Sequence, residues 1–316
     1  MIRLDDGGGH EPIAVVDRNG ADESVHCGSA LIRHADGSVE VLAGRADVAV
    51  YPRSSLKPLQ ATAMVRAGLR LNARQLALAC ASHDGSSVHL DVVRSTLAVA
   101  GLDASELRTT PDLPLDRAEA EAWLAAGGVR EPIAMNCSGK HAAMLATCVA
   151  NGWPTEGHLD PDHPLQQHIT SVIADLAGEP VVHVGIDGCG APTHMMRLSA
   201  LATAIGVVAR EQGEVFRAMT GHPTLVGGPF RPVTVLMAAV PGLMAKDGAE
   251  GVFVAALADG PSVAVKVADG ASRAAVVVAA ALLRRAGVDV PVEIDHDLAP
   301  AALGGGFPVG RVRSLL

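Results

Sequence analysis

The sequence predicts an α/β protein with a mainly antiparallel sheet that is covered by helices. Short β-leaning segments separated by turn signals occur in the first fifty residues, namely PIAVVD, GSALIRH and SVEVLAG. Strand-like segments return from residue 232 on as PVTVLMAAV, GVFVAALA and SVAVKVA. The last two are separated by the turn residues DGP, which favours an antiparallel hairpin between them.

Helical patterns fill the region between these two groups of strands. They follow SSLKP, continue through QLALACAS, VHLDVVRSTLAVAG and LDRAEAEAWLAAG, and begin again after CSGK. VVHVGID predicts a strand, residues 192–207 predict a helix, and residues 272–286 predict the last helix. Since no repeat or low-complexity linker interrupts the chain, we predict one unit over residues 1–316 that can be divided into two lobes.

Composition excludes several classes of function. Apolar residues make up 49% of the chain and the net charge is −9, so nucleic acid and anionic membranes are poor partners. The N-terminus has no apolar stretch typical of a signal peptide, and the longest apolar run, at 274–283, is too short to span a bilayer. Five cysteines spread over 316 residues favour a reducing, cytoplasmic location over a disulfide framework.

Lysine is rare in this chain, because only four of its 25 basic residues are lysines. A desolvated lysine can lose its proton, which arginine cannot do. Ser54-x-x-Lys57 places a serine and a lysine three residues apart at a predicted helix start, where they share one face. A neutral lysine there can activate the serine as a nucleophile, although so short a pattern also arises by chance.

Two further segments are candidates for chemistry. Ser82 lies in ACASHDGSSVH at a helix end, where it can face Ser54, although a turn-forming helix end explains the same residues. Lys266 lies among small residues on one face of the strand SVAVKVA, where it can point into a cleft or into solvent. Lys246, in MAKDGAEG, is interpreted as a surface charge beside a turn.

A third segment combines cysteine and lysine. In MNCSGKHAAMLA, Cys137 and Lys140 have the same three-residue spacing, and Cys189 lies between glycines in GIDGCGAPTH. Two thiolates and one further donor can hold zinc with water as the fourth ligand. Buried free thiols are the alternative, and the absence of a C-x-x-C pair leaves that alternative open.

Several of these segments together resemble a known family. RSSLKPLQA, LACASHDG, NCSGKHAAML, GIDGCGAP, HPTLVGG, KDGAEGV and AVKVADGASRA occur in the order typical of the rhizobial-type (class 3) L-asparaginases of the asparaginase II family. The resemblance extends from about residue 12 to about residue 313. HDGSS stands where that family more often has Asn-Gly-Glu, so a loop beside the site is expected to differ.

The resemblance implies a fold similar to serine β-lactamases and glutaminases, and a homodimer. It implies two serine–lysine pairs, Ser54 with Lys57 and Ser82 with Lys266. It further implies a zinc ion beside the catalytic site that aids substrate binding, and its ligands would be Cys137, Lys140 and Cys189.

The resulting hypothesis is hydrolysis of L-asparagine to L-aspartate and ammonia through a serine acyl-enzyme. The substrate is a zwitterion, so we expect Arg53 to bind its α-carboxylate and Asp187 its α-amine, with His141 lining the pocket. Two alternatives remain at this point. One is another S-x-x-K amidohydrolase such as a glutaminase, and the other is a non-catalytic, zinc-binding amino-acid sensor.

Overall fold

The computed structural model describes residues 9–316, and its centre is a seven-stranded antiparallel sheet. Within these residues the strand order is β12-β1-β2-β9-β8-β7, and β3 pairs with the far part of β2. The sequence-based expectation that the N-terminus carries no signal peptide concerns a segment that begins outside the described residues. The strands of this sheet are β1 (Glu11–Arg18), β2 (Ala21–Arg33), β3 (Val39–Ala43), β7 (Met244–Gly248), β8 (Val252–Ala256), β9 (Ser262–Val267) and β12 (Val312–Ser314).

Two small sheets accompany the large one. Strand β6 lies between β4 and β5, and β10 pairs with β11. Their bounds are β4 (Ala49–Val50), β5 (His183–Ile186), β6 (Pro192–Arg197), β10 (Ala302–Gly304) and β11 (Phe307–Gly310).

The helices pack around the large sheet and against one another. Both faces of β9 are buried, because α7 covers one face and α11 covers the other. None of the helices within residues 9–316 has the length and apolar character needed to cross a membrane. The helices are α1 (Lys57–Arg66), α2 (Ala73–Ala79), α3 (Ser87–Val99), α4 (Arg117–Ala125), α5 (Ser138–Asn151), α6 (Pro164–Ala177), α7 (Leu198–Glu211), α8 (Glu214–Gly221), α9 (Pro223–Val226), α10 (Pro232–Ala239) and α11 (Ala275–Arg285).

The predicted fold class is confirmed, as is the β8–β9 hairpin, in which Ala256 pairs with Ser262. The cores follow the same division of elements. The larger hydrophobic cluster joins the sheet to α1, α6, α7 and α11, and a smaller one lies among α2, α3 and α5.

Two predicted elements were wrong. The segment PVTVLMAAV forms helix α10 and not a strand. Its β-branched residues favour a strand, but its buried residues follow a helical period and Pro232 suits the first turn of a helix. Residues 192–207 were predicted to be one helix, but Pro192–Arg197 form β6, because that segment pairs with both β4 and β5, and the helix starts at Leu198.

The fold brings five segments together at one end of the helical layer. They are a short 3-10 turn at Arg53–Leu56 that leads into α1, the segment after α2, the start of α5, the β5–β6 loop and strand β7. These segments carry most of the predicted site residues.

Candidate active site

The Ser54–Lys57 pattern spans the junction of the 3-10 turn and helix α1. Ser54 lies within the turn and is half-buried, and Lys57 is the first residue of α1 and is buried. The backbone N–H of Lys57 donates to the Ser54 carbonyl, which closes the turn. Within residues 9–316, the Ser54 hydroxyl makes no hydrogen bond, so its lone pairs and proton are available to a substrate.

Lys57 brings the second predicted serine to the same place. Its Nζ donates to Ser82 Oγ at 3.1 Å and also to the carbonyl of Ala81. Ser82 is buried, and its backbone N–H donates to Val226 in α9, which fixes the segment after α2. Lys57 therefore hydrogen-bonds through its backbone to Ser54 and through its side chain to Ser82.

Lys266 lies elsewhere in the sheet. Its Nζ donates to the carbonyl of Glu250 in the turn between β7 and β8. Across the sheet Lys266 pairs with Val252, and Val252 pairs with Gly248, so about 10 Å separates Lys266 from strand β7. Among the described residues Lys266 and Ser82 share no hydrogen bond, and the lysine that holds Ser82 is Lys57.

Lys246 is the residue that the sequence reasoning missed. We interpreted it as a surface charge, but it is fully buried on β7. Its carbonyl accepts a hydrogen bond from Ser55 Oγ at 3.3 Å, so Lys246 lies directly beneath the turn that carries Ser54. Burial lowers the pKa of the Lys246 amine to about 8, with Asp247 opposing the shift and Lys57 adding to it. A lysine in the recognisable segment KDGAEGV, in a chain with only four lysines, was the signal that could have identified it.

A close contact between backbones sets the position of the turn over β7. A Cβ placed on Gly248 would lie 2.2 Å from the carbonyl oxygen of Pro52 and 2.8 Å from Ser55 Oγ. Only glycine permits this approach. The adjacent Arg53 has a φ of 55°, in the left-handed region that non-glycine residues rarely adopt. Such strain is typical of functional sites, where the surrounding structure holds an unfavourable conformation.

The two residues predicted to bind the substrate's charged ends contact each other. Arg53 Nε donates to Asp187 Oδ1 at 2.6 Å, and both side chains remain partly exposed. Asp187 begins the loop between β5 and β6, where its carboxylate also accepts from the backbone N–H of Gly188. A cation and an anion that reach solvent beside Ser54 form a matched pair for a zwitterionic ligand.

Cys137, Lys140 and Cys189 also come together, as the resemblance implies. All three side chains are buried, and Lys140 Nζ lies 3.2 Å from Cys189 Sγ. The neighbouring Cys137 and the Lys140 charge hold the pKa of Cys189 far below its ordinary value, which favours a thiolate. Burial works to lower the pKa of Lys140, but the two cysteines outweigh it and raise that pKa.

The donor set fits a zinc ion. Zinc distances of about 2.3 Å to sulfur and about 2.0–2.1 Å to nitrogen place tetrahedral ligands about 3.5 Å apart, close to the observed Lys140–Cys189 separation. Among residues 9–316, no group of three or more His, Cys, Asp or Glu residues could hold a metal. The two cysteines therefore need the Lys140 amine as the third protein ligand. Binding would require the amine to give up its proton to solvent, since a lysine ligand is neutral.

His141 lies beside the two thiols. It is fully buried, and its ring interacts with Cys189. Burial lowers the pKa of His141 to about 4, so the ring is neutral at pH 7. The prediction that His141 lines the substrate pocket stays a prediction.

Comparison with known protein families identifies the family of this chain. The profile of the L-asparaginase II family matches residues 14–314, nearly the whole chain. The protein therefore belongs to the L-asparaginase II family, and this membership supports amidohydrolase activity. No curated protein matches the sequence.

Solved structures with partial similarity include several of a protein called Mglu. Its native form is 16% identical to this chain, with a TM-score of 0.44, 83% of this chain covered and 65% of that chain covered. Its glutamate form is 15% identical, with a TM-score of 0.43, and the coverages are 88% and 63%. This chain thus spans less than two thirds of the length of either structure, and the predicted likeness to serine β-lactamases stays a prediction.

Proposed function

We propose that the protein hydrolyses L-asparagine to L-aspartate and ammonia, with Ser54 as the nucleophile. The observation that carries the proposal is the buried Lys57 amine, which follows Ser54 by three residues in the chain and donates a hydrogen bond to Ser82 Oγ. Family membership supports an amide as the substrate. The partly exposed Arg53–Asp187 pair supports a substrate that carries both a carboxylate and an amine.

In the first half of the reaction, Lys57 in its neutral form takes the proton of Ser54. The Ser54 oxygen then bonds to the side-chain amide carbon of asparagine, and backbone N–H groups near the helix start stabilise the oxyanion. The amide nitrogen accepts a proton through Ser82, the C–N bond breaks, and ammonia leaves. This produces a β-aspartyl ester of Ser54.

In the second half, water attacks the ester carbon and gives its proton to Lys57. The ester bond breaks, Lys57 returns the proton to the Ser54 oxygen, and aspartate leaves with the Ser54 hydroxyl restored. Arg53 would bind the α-carboxylate and Asp187 the α-amine, so substrate binding would separate the ion pair that they form with each other.

We propose Lys246 for the role that the resemblance suggested for Lys266. The group that donates a proton to the leaving amide nitrogen has to be protonated at the working pH and close to the serines. Lys246 is buried beneath the Ser54 turn and close enough to Lys57 for the two charges to interact, whereas Lys266 contacts Glu250. A protonated Lys246 can supply the proton that Ser82 passes to the leaving nitrogen. The proton that Lys57 took from Ser54 then moves to Lys246, which leaves Lys57 neutral for the second half of the reaction.

The zinc ion, held by Cys137, Lys140 and Cys189, would supply positive charge beside the pocket that aids substrate binding. We expect the described chain to act as one catalytic unit, as a homodimer in the cytoplasm. These expectations extend the family assignment.

The experiment that tests the proposal compares ammonia release from L-asparagine and from L-glutamine, and follows the hydrolysis of a chromogenic β-lactam by its colour change. Asparagine should be the best substrate, although one extra methylene in glutamine is expected to cost only about 10–200-fold. Faster turnover of glutamine would replace the proposal with a glutaminase activity. Binding of asparagine and zinc without ammonia release would favour an amino-acid sensor.

A further inference from the structure

The buried amine of Lys246 has an arrangement of partners that the reaction scheme does not explain. Its Nζ donates to the backbone carbonyl of Asp247 at 2.8 Å and forms an ion pair with the carboxylate of the same residue. The lysine side chain is therefore folded back onto its neighbour in the strand. Within residues 9–316 it makes no hydrogen bond to Ser82.

The Asp247 carboxylate is held from its other side. Arg231, in the segment just before α10, forms an ion pair with Asp247 Oδ2, while Lys246 binds Oδ1. One carboxylate is thus shared by a buried cation and a partly exposed one, because Lys246 is fully buried and Arg231 is 29% exposed. Two fixed partners leave the carboxylate little freedom to rotate.

We propose that Asp247, clamped by Arg231, is a positioning residue that keeps the Lys246 amine charged and directed onto β7. The effect of Asp247 on catalysis rests on the proposed function. The arrangement of Asp247 between Lys246 and Arg231, called the clamp below, does not depend on that function. No charged group other than Asp247 favours the ammonium form of Lys246 among the described residues.

The surrounding charges explain why the clamp is needed. Lys57 from α1 and Arg231 both disfavour a proton on Lys246, and burial disfavours it most strongly. Cys80, at the end of α2, also faces both lysines, but burial raises its pKa to about 12, so it is a neutral thiol. Only the Asp247 carboxylate opposes these effects, and the two cations in turn hold the pKa of Asp247 well below its ordinary value.

The rarity of lysine allows a direct test on the folded protein. Labelling lysine side chains with ¹⁵N gives four Nζ signals, and Lys246→Arg identifies the one to follow. In Asp247→Asn, we expect the Lys246 pKa to fall by about 1–3 units, the effect of losing an opposite charge at this range. Asp259→Asn removes an exposed aspartate from the β8–β9 turn of the same sheet and is expected to leave the Lys246 pKa unchanged.

A second variant keeps the test decisive if Asp247→Asn does not fold. Arg231→Gln removes a cation and leaves the carboxylate, so the Lys246 pKa should rise. An unchanged Lys246 pKa in folded Asp247→Asn, or an unchanged or lower one in Arg231→Gln, would overturn the inference.

Turnover then separates this inference from the proposed function. If the alkaline limb of the pH–rate profile moves down with the Lys246 pKa in Asp247→Asn, Lys246 is the proton donor that limits turnover. If the Lys246 pKa falls and the alkaline limb does not move, Asp247 does position Lys246, but Lys246 is not the proton donor that limits turnover.

Discussion

The close contact between Gly248 and the 3-10 turn that carries Ser54 gives the sharpest prediction. Gly248 has no side chain, and the carbonyl oxygen of Pro52 occupies the space where a Cβ would lie. Replacing Gly248 with alanine would put that Cβ 2.2 Å from the oxygen, whereas an ordinary van der Waals contact is 3.4–4 Å. The turn carrying Ser54 therefore has to move by about 1 Å, because the opposing atom belongs to the backbone and not to a flexible side chain.

A shift of this size has a calculable consequence. Misplacing a catalytic group by about 1 Å can cost about 10²-fold in rate. Overpacking of this kind also costs about 1–3 kcal/mol of unfolding free energy. We therefore expect Gly248→Ala to remain folded, with kcat for asparagine hydrolysis reduced about 100-fold.

The assay is steady-state ammonia release at saturating asparagine, together with urea denaturation of the same preparations. Gly221→Ala is the matched control, because a Cβ at Gly221 meets nothing within 4 Å. That control should keep wild-type kcat. A folded Gly248→Ala variant with wild-type kcat would refute the idea that this backbone contact sets the position of Ser54.

Four further predictions follow from the site. Lys57→Arg keeps the charge but removes the base, so turnover should be abolished, as measured by ammonia release; wild-type-like activity would exclude Lys57 as the base. The rate should fall as pH rises through about 8, where Lys246 loses its proton, and a flat profile from pH 7 to 9 would contradict this. Cys189→Ser should lose bound zinc in elemental analysis, whereas Cys148→Ser, a buried thiol outside the site, should keep it. Burial depresses the pKa of His194 from 6.5 to about 4, so its stability contribution is full above pH 6.5 and is lost as pH falls toward 4. The unfolding free energy should decline there by up to about 1.4 kcal/mol per pH unit more than in His194→Asn.

Much of the fold could be predicted because local patterns and tertiary structure agree there. The β8–β9 hairpin combines two apolar strands with a turn signal, and the structure forms it as expected. Helix α10 shows the opposite case. Its valine and threonine residues favour a strand, but the segment packs as a helix against β7, and sequence alone does not show this packing.

The candidate site also contains residues whose relation could be predicted from the sequence and residues whose relation could not. Residues close in sequence, such as Ser54 and Lys57, could be related through helix spacing. The partner of Ser82 could not, because the contact with Lys57 joins residues 25 positions apart through the packing of α1 against the segment after α2. Lys246 was missed because a lysine beside a predicted turn is normally exposed, and its burial depends on how the 3-10 turn packs on β7.

The most direct test of the account measures ammonia release from L-asparagine by the wild type, Ser54→Ala and Ser55→Ala. The neighbouring Ser55 is a demanding control, because its hydroxyl donates to the Lys246 carbonyl from within the same turn. We predict release by the wild type, none by Ser54→Ala, and reduced but measurable release by Ser55→Ala, which loses one hydrogen bond of about 1 kcal/mol. Release by Ser54→Ala at the wild-type rate would contradict the assignment of Ser54 as the nucleophile.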